Sequence, residues 1–215
     1  MTLLDGRGLW CEIIGCDYAG RPAIFLDRDG VIVEEVNYLG RAEDMLMLPG
    51  AAQAIGRCNR LGIPVVLVSN QSGVGRGYYG WSAFQAVQAA LSAALATEGA
   101  RVDAVLACAY HAEARDGYRI ANHEWRKPNP GMILAAAERM KLDLANSWIV
   151  GDRSSDLAAG WAAKLGGGVL VTTGNGTRER TDALALASER YIVKLSATLE
   201  DAVGVPIRLA HSLDG

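Results

Sequence analysis

This 215-residue sequence lacks long apolar runs, a surplus of basic residues and any C-x-x-C motif. No apolar stretch reaches the roughly 20 residues that a membrane-spanning helix needs. The first residues lack a basic start followed by a continuous apolar stretch, so we expect no secretory signal and a cytoplasmic location. A net charge of −3 gives no general attraction to nucleic acid or to anionic membranes, so neither is an expected partner.

The cysteine content is low and shows no C-x-x-C pair, the four residues being Cys11, Cys16, Cys58 and Cys108. We therefore expect reduced, mostly buried thiols, although a Cys11–Cys16 bridge stays open. Half of the residues are hydrophobic and 21% are charged, which is typical of a globular domain with a full core.

Short apolar runs alternate with helical patterns along most of the chain. The predicted strands are Ala23–Leu26, Ile63–Ser69, Val102–Ala107, Trp148–Val150, Gly168–Val171 and Tyr191–Val193. The predicted helices are Ala51–Leu61, a segment that begins at Ser82, Met132–Met140 and Asp156–Leu165. This alternation predicts a three-layer, doubly wound α/β fold with a mostly parallel sheet.

No repeat or linker divides the chain, so we expect one domain over residues 22–204. Residues 1–21 are interpreted as an N-terminal extension and residues 205–215 as a C-terminal surface tail. The first 21 residues and the polar stretch His111–Trp125 fit the alternation poorly. Long irregular loops in compact domains often carry function, which singles out the second stretch.

Two aspartates follow the first predicted strand, in the sequence F-L-D-R-D-G. Side chains two residues apart on an extended chain project to the same side, so Asp27 and Asp29 can converge. Two close carboxylates repel each other unless a cation lies between them, and Mg²⁺ prefers oxygen ligands of this kind. Taken alone, D-x-D-G is equally typical of a polar turn after a buried strand.

Three further strand ends or turns carry polar residues. Ser69 and Asn70 precede a glycine-rich turn whose spacing is neither that of a dinucleotide-binding loop nor that of a P-loop. Arg126 and Lys127 lie in the rigid turn R-K-P-N-P-G, where an Arg-Lys pair is suited to phosphate. Asp152 ends another strand and would emerge at the same sheet edge as Asp27. Each feature alone has an ordinary structural explanation, but the four rarely occur together by chance.

The segments F-L-D-R-D-G-V-I, V-S-N-Q-S-G-V-G-R-G, R-K-P-N-P-G-M and V-G-D-R-S-S-D resemble the four motifs of the haloacid dehalogenase superfamily of phosphatases. The sequence is most similar to the branch with D-glycero-D-manno-heptose-1,7-bisphosphate phosphatases and histidinol-phosphate phosphatases. The resemblance spans roughly residues 24–171, in the expected order.

The resemblance implies a role for each site residue. Asp27 would be the nucleophile that forms an aspartyl-phosphate, and Asp29 would start protonated and act as general acid and then base. Mg²⁺ would be held by the carboxylates of Asp27 and Asp152 and by the backbone carbonyl of Asp29. Four residues would bind phosphate or orient the substrate, namely Ser69, Asn70, Arg126 and Lys127. Asp156 is expected to support the metal ligands without binding the metal itself.

The resemblance also has departures. Many relatives in this branch bind a structural zinc through a loop before R-K-P, but here Cys108 and Tyr110, then His123 and Trp125, occupy the matching positions. With His111 as an added candidate, four ligands are still not supplied, so purified protein is expected to carry no stoichiometric zinc. Only about twenty residues separate Asp29 from Pro49, which is too short for a large cap domain.

These patterns favour a Mg²⁺-dependent phosphomonoesterase that acts on a small phosphorylated metabolite, with a sugar bisphosphate as the leading substrate. Histidinol phosphate is the main rival, and a phosphorylated polynucleotide end is a weaker one. A catalytically weak relative that binds a phosphorylated ligand is an alternative of another class. The sequence does not fix the oligomeric state.

Overall fold

The computed structural model describes residues 3–15 and 17–211, with side chains as far as residue 206. Its strands are β1 (Leu9–Ile13), β2 (Ile24–Leu26), β3 (Val65–Asn70), β4 (Ala104–Cys108), β5 (Trp148–Gly151), β6 (Gly167–Val171) and β7 (Ile192–Ser196). Its helices are α1 (Ala51–Arg60), α2 (Ser72–Arg76), α3 (Trp81–Thr97), α4 (Gly131–Met140), α5 (Ser154–Ala162), α6 (Gly176–Leu184) and α7 (Leu199–His211). A 3-10 helix spans Ala42–Asp44. No helix in these ranges is long and apolar enough to cross a membrane.

All seven strands form one sheet in the order β1-β4-β3-β2-β5-β6-β7. Strand β1 is antiparallel to β4, and every other neighbouring pair is parallel. The mostly parallel α/β fold expected from the alternation is thereby confirmed. The chain proceeds from β2 outward to β4 and then returns to β5 on the other side of β2. Ligands of open α/β sheets bind at the carboxyl edge where the strand order reverses in this way.

Two apolar layers hold the helices against the sheet. Along β2, Ile24 and Leu26 point into the layer shared with α1, α3 and α7, while Phe25 points into the layer shared with α4 and α5. The side chains of all three residues are at most 2% exposed. Strands covered on both faces lack polar alternation, which explains why the sequence shows them as continuous apolar runs.

The N-terminal segment contributes β1, a strand that the sequence analysis did not predict. Leu9, Trp10 and Cys11 are buried, whereas Glu12 and Ile13 are exposed, so the segment lacks the strict alternation of a half-buried strand. The ring of Trp10 packs on that of Phe84 in α3, with centroids 5.3 Å apart. The first 21 residues are therefore partly integrated into the sheet, and the domain boundary at residue 21 stays a prediction.

The turn before β1 is organised by one carboxylate. Asp5 Oδ1 accepts hydrogen bonds from the backbone N–H groups of Arg7, Gly8 and Leu9 at 2.9–3.1 Å. Its Oδ2 accepts a hydrogen bond from the hydroxyl of Tyr110, which follows β4. Although burial opposes the charged form, these hydrogen bonds lower the pKa of Asp5. The carboxylate thus joins the N-terminal segment to the loop after β4.

Replacing Asp5 by alanine is expected to lower the free energy of unfolding by about 1–2 kcal/mol at pH 7, because the residue is partly exposed to solvent. Since the pKa of Asp5 is lowered in the folded state, its contribution is present above its ordinary pKa and declines as the pH falls through the folded value. Urea unfolding at pH 7 measures the effect. Asp116→Ala, at an exposed position in the 111–125 loop, is the control and should change stability by less than about 0.5 kcal/mol. Equal effects of the two substitutions would contradict the assignment.

The C-terminal segment differs from the expected surface tail. Helix α7 continues to His211, and its residues Leu199, Ala202 and Val203 are buried, with Val205 packed against the same core. Val205, the first residue of the expected tail, thus lies in a helix and packs against the core, and the boundary at residue 204 stays a prediction. Gly204 and Pro206 lower the helical propensity of the sequence here, but the apolar face of the helix is retained.

Three of the four cysteines, Cys11, Cys58 and Cys108, lie within the described residues; all three are buried, and no two of them are bonded to each other. Burial raises the pKa of Cys58 to about 11 and that of Cys108 to about 12. Both thiols are consequently protonated and unreactive at neutral pH. Cys16 lies outside the described residues, so the Cys11–Cys16 alternative stays untested.

Candidate active site

The carboxyl ends of β2, β3 and β5 bring the four sequence motifs together. Asp27 follows β2, Ser69 and Asn70 end β3, and Asp152 follows β5. Lys127 arrives from the loop between β4 and α4, and its ammonium group lies beneath the same edge. The motifs meet because parallel strands all present their carboxyl ends on one side of the sheet.

Lys127 is the centre of a buried charge network. Its Nζ donates to Asp27 Oδ1, to Asp156 Oδ1 and to the carbonyl of Val68, each at 2.7 Å. Burial opposes its charge, but Asp156 and Asp27 outweigh burial and raise the pKa of Lys127. Burial raises the pKa of Asp156 against the opposing effect of Lys127. The ammonium group therefore fixes both carboxylates in place and partly neutralises them.

Only one of the two carboxylate oxygens of Asp152 has hydrogen-bond partners among the described residues. Its Oδ2 accepts hydrogen bonds from the backbone N–H of Asn175 at 2.8 Å and from the side-chain amide of the same residue at 2.9 Å. A Cβ atom at Gly30 or at Gly174 would lie 2.5 Å or less from this oxygen, so only glycine fits at those two positions. Burial, and then the charge of Asp27, raise the pKa of Asp152 to about 7.

The remaining oxygen of Asp152 indicates a cation site. Asp152 Oδ1 is buried and has no hydrogen-bond partner among the described residues. Carboxylate oxygens of Asp27, Asp152 and Asp156 lie within 4.8 Å of one another. Both oxygens of Asp156 are already engaged, one with Lys127 and one with the backbone N–H of Arg153. Asp27 and Asp152 therefore have oxygen atoms suited to a hard divalent cation. Asp156 would not bind the cation itself, because its two oxygens hold Lys127 and the backbone of Arg153 next to the site.

Asp29 is positioned by its neighbour. The fully buried guanidinium of Arg28 donates to both oxygens of Asp29 at 2.9–3.2 Å, and it also contacts Gln88 and the ring of Phe84. Gln71 Nε2 lies 3.4 Å from the same carboxylate. The Arg28 guanidinium thus fixes the orientation of Asp29, and the protonation of Asp29 at the start of the reaction stays a prediction.

Ser69 is oriented by residues that the sequence analysis did not single out. Gln71 Nε2 donates to Ser69 Oγ at 2.8 Å, and Gln71 Oε1 accepts a hydrogen bond from the hydroxyl of Tyr79 at 2.6 Å. With Nε2 also near Asp29, this amide connects the phosphate-binding candidate of β3 to the second aspartate of the D-x-D segment. The glutamine lies in the segment S-N-Q-S-G, so only its role was missed.

The side chains of Asn70 and Arg126 differ in the number of hydrogen bonds that they make to the backbone. The amide of Asn70 is used by the backbone of Lys127, with two hydrogen bonds of 3.0 Å, one in each direction. Asn70 therefore fixes the backbone that carries the ammonium group. Arg126 donates one hydrogen bond to the carbonyl of Tyr110 at 3.2 Å, and burial lowers its pKa. The rest of its guanidinium lines the cavity.

These side chains surround a cavity of about 500 Å³, a volume typical of sites for small molecules. Acidic, hydroxyl, amide and cationic groups all line it. The acidic, hydroxyl and amide groups include those of Asp27, Asp29, Ser69, Asn70, Gln71 and Asp156. The cationic and imidazole groups outside the Lys127 network are Arg76, His111, Arg126 and Arg153.

The loop before R-K-P, which is expected to lack zinc, is stabilised by contacts between its own residues and Tyr110. The ring of His123 stacks on Tyr110 with centroids 4.4 Å apart, and His123 Nδ1 accepts a hydrogen bond from the backbone of Trp125. Cys108 is buried in β4, and His111 faces the cavity. Within residues 3–15 and 17–211, these three candidates do not form a cluster of metal ligands. The prediction of no bound zinc stays open to elemental analysis.

Comparison with known proteins gives consistent matches. Residues 124–198 match a family model described as HAD-hydrolase-like. The chain is 48% identical over 174 residues to a D-glycero-β-D-manno-heptose-1,7-bisphosphate 7-phosphatase of Mesorhizobium japonicum, covering 78% of each chain. It is 40% identical over 164 residues to a D-glycero-α-D-manno-heptose-1,7-bisphosphate 7-phosphatase of Burkholderia mallei, covering 76% of this chain and 87% of that one.

One solved structure is similar over nearly its whole length. It is a D,D-heptose 1,7-bisphosphate phosphatase from B. bronchiseptica, complexed with magnesium and phosphate. It aligns with a TM-score of 0.74 and 34% identity, covering 89% of this chain and 99% of that one.

Proposed function

Because the chain belongs to the haloacid dehalogenase-like phosphatase family, we propose that it is a Mg²⁺-dependent phosphatase that removes the 7-phosphate from D-glycero-D-manno-heptose 1,7-bisphosphate. The observation that carries this proposal is the meeting of Asp27, Lys127 and Asp152 at one sheet edge. The relatives described above carry the heptose name, which favours this substrate over histidinol phosphate. The buried thiols of Cys58 and Cys108 agree with action in the reducing cytoplasm.

In the proposed reaction, Asp27 attacks phosphorus and the bond from phosphorus to the sugar oxygen breaks. Asp29 gives a proton to the leaving oxygen, and the resulting aspartyl-phosphate is then hydrolysed by a water from which Asp29 takes a proton. The ion pair with Arg28 holds Asp29 beside Asp27 and must accommodate both protonation states. Gln71, which contacts Asp29 and Ser69, keeps the two at a fixed separation.

Ser69 would hold an oxygen of the transferring phosphoryl group. The three donors of the Lys127 ammonium are used by Asp27, Asp156 and the carbonyl of Val68, so Lys127 would act through its charge, which is fixed in place and stabilises the negative charge of the transition state. Asn70 contributes through the backbone of Lys127, and Arg126 would orient the rest of the substrate.

The carboxylates of Asp27 and Asp152 would hold Mg²⁺ together with the backbone carbonyl of Asp29. When bound, the cation would neutralise part of the negative charge of the carboxylates and the phosphate. The unpaired Oδ1 of Asp152 supports this assignment, because a buried carboxylate oxygen without a partner is costly in the absence of a cation.

Phosphate release from purified protein tests the proposal. The substrates are both anomers of the heptose bisphosphate, histidinol phosphate and a 3′-phosphorylated oligonucleotide, each with Mg²⁺ and with EDTA. We expect kcat/KM of about 10⁴ M⁻¹s⁻¹ or more for one heptose anomer, lower values for the other compounds, and loss of activity in EDTA. ³¹P NMR should show that the remaining phosphate is the one at C1. Failure to hydrolyse either anomer, or faster hydrolysis of histidinol phosphate, would contradict the proposed substrate.

A further inference from the structure

We propose that Tyr79 is a positioning residue for the reaction: through Gln71, it directs the hydroxyl group of Ser69 toward the transferring phosphoryl group. The inference rests on the proposed function and adds a residue to its site. Tyr79 lies between α2 and α3, outside the four sequence motifs, and lines the cavity that contains Asp27. Its hydroxyl donates a hydrogen bond of 2.6 Å to Gln71 Oε1.

The ring of Tyr79 fits closely between two glycines from different segments. A Cβ atom at Gly40, before the 3-10 helix, would lie 2.7 Å from the ring, and one at Gly73, in α2, would lie 2.4 Å from it. Neither glycine has a positive φ, so the missing side chains serve the close approach of the ring and not an unusual backbone conformation. The ring, and with it the hydroxyl, is therefore fixed relative to the cavity.

The direction of the hydrogen bond between Tyr79 and Gln71 follows from the charges nearby. Burial raises the pKa of Tyr79 to about 12, so the hydroxyl is protonated at neutral pH. The positive charge of Arg28 also acts on this hydroxyl and has the opposite effect on its pKa. A hydroxyl oxygen that turns its lone pairs toward a guanidinium directs its hydrogen elsewhere, here to Gln71 Oε1. This assigns the amide nitrogen of Gln71 to the side of Ser69.

The amide of Gln71 in turn determines where the Ser69 hydroxyl points. Gln71 is 2% exposed, and its Nε2 donates to Ser69 Oγ at 2.8 Å. The structure gives this oxygen no other hydrogen-bond partner among the described residues. Because Ser69 Oγ accepts from Gln71, its own hydrogen is available for another acceptor. At this strand end, that acceptor would be an oxygen of the phosphoryl group.

The Tyr79 hydroxyl is what gives the Gln71 amide a preferred orientation. The two ends of an amide have nearly the same shape, so the group can rotate by 180° without a change in packing. In Tyr79→Phe, either orientation leaves one end of the buried amide without its partner, and the preference is lost. In the rotated orientation, Gln71 Oε1 accepts the hydrogen of the Ser69 hydroxyl, which is then no longer available to phosphate.

A double-mutant cycle between Tyr79→Phe and Ser69→Ala tests the inference. The measured quantity is kcat/KM for phosphate release from the heptose 1,7-bisphosphate with Mg²⁺. Phenylalanine keeps the ring between Gly40 and Gly73 and removes only the hydroxyl. We expect Ser69→Ala alone to lower kcat/KM about 30-fold, which leaves a measurable rate. We expect Tyr79→Phe to lower it about 10-fold in the wild-type background and less than about 2-fold in the Ser69→Ala background, where no hydroxyl remains to be directed.

Tyr18→Phe is the matched control. The Tyr18 side chain is also partly buried, and its hydroxyl also donates to a side chain, Asp103 Oδ1, at 2.5 Å. Asp103 precedes β4, at the edge of the sheet opposite the site. Tyr18→Phe should therefore lower stability to urea about as much as Tyr79→Phe does, and it should leave kcat/KM unchanged in both backgrounds.

Equal fold-losses from Tyr79→Phe in the two backgrounds would show that the tyrosine does not act through Ser69, and would overturn the inference while the phosphatase proposal stands. Wild-type activity in Tyr79→Phe overturns it as well. If the wild-type protein releases no phosphate, the proposed function itself fails, and the inference with it. Should Tyr79→Phe not fold, Gln71→Met takes its place in the cycle and is expected to show the same dependence on Ser69.

Discussion

Replacing Asp27 by asparagine is expected to abolish phosphate release, with kcat reduced by about 10⁴-fold or more. The neutral amide has almost the shape of the carboxylate but cannot attack phosphorus. Asparagine also keeps an oxygen that can accept the hydrogen bond from Lys127, and it removes one of three crowded negative charges. We therefore expect the free energy of unfolding of the metal-free protein to fall by no more than about 1 kcal/mol. Single-turnover assays and urea unfolding measure the two quantities.

Asp182→Asn, at an exposed position on α6, is the matched control and should retain wild-type activity and stability. Activity in Asp27→Asn within tenfold of wild type would contradict the nucleophilic role. A complete loss of folding would leave the role to be tested by trapping a covalent phosphate on Asp27 of the wild-type protein.

Replacing Lys127 by methionine is expected to damage both stability and rate. Removing the ammonium group leaves Asp27 and Asp156 facing each other in a buried site, which should cost about 3 kcal/mol of unfolding free energy. The rate should fall by about 10³-fold, because a fixed positive charge no longer opposes the charge of the transition state. Urea unfolding and phosphate release measure the two effects separately.

The double substitution Lys127→Met with Asp156→Asn separates these effects. It removes the unpaired carboxylate but keeps an oxygen that can accept the hydrogen bond from the backbone of Arg153. We expect at least half of the lost stability to return and the rate to remain low. A double variant as unstable as Lys127→Met would show that the ion pairs are not the source of the loss.

Most of the parallel strands could be predicted from the sequence because they are buried on both faces. β3 and β5 are continuous apolar runs with turn residues at their ends. β1 was missed because only three of its five residues are buried and its pairing with β4 is distant in sequence. Helix α2, five residues long and containing two glycines, has no helical signal of its own and depends on its neighbours.

The sequence allowed the motifs of the candidate site to be predicted, but not most of the contacts between their residues. The sequence placed Asp27 and Asp152 at one edge because both follow apolar strands. It could not show that the amide of Asn70 binds the backbone of Lys127, since that contact joins residues 57 positions apart. Asn175 lies in a turn outside the four motifs, and only the folded chain shows that it holds Asp152.

The short strand β1 has a consequence for how this protein behaves in solution. β4 has the sequence A-V-L-A-C and is buried throughout, so its uncovered edge would offer an apolar template to strands of other molecules. The antiparallel pairing of β1 occupies the hydrogen-bonding groups of that edge, and the new edge ends in the exposed residues Glu12 and Ile13. At the opposite end of the sheet, β7 is only partly buried and carries a lysine, Lys194. Both borders of the sheet are thus ill-suited to aggregation, and β1 protects one of them.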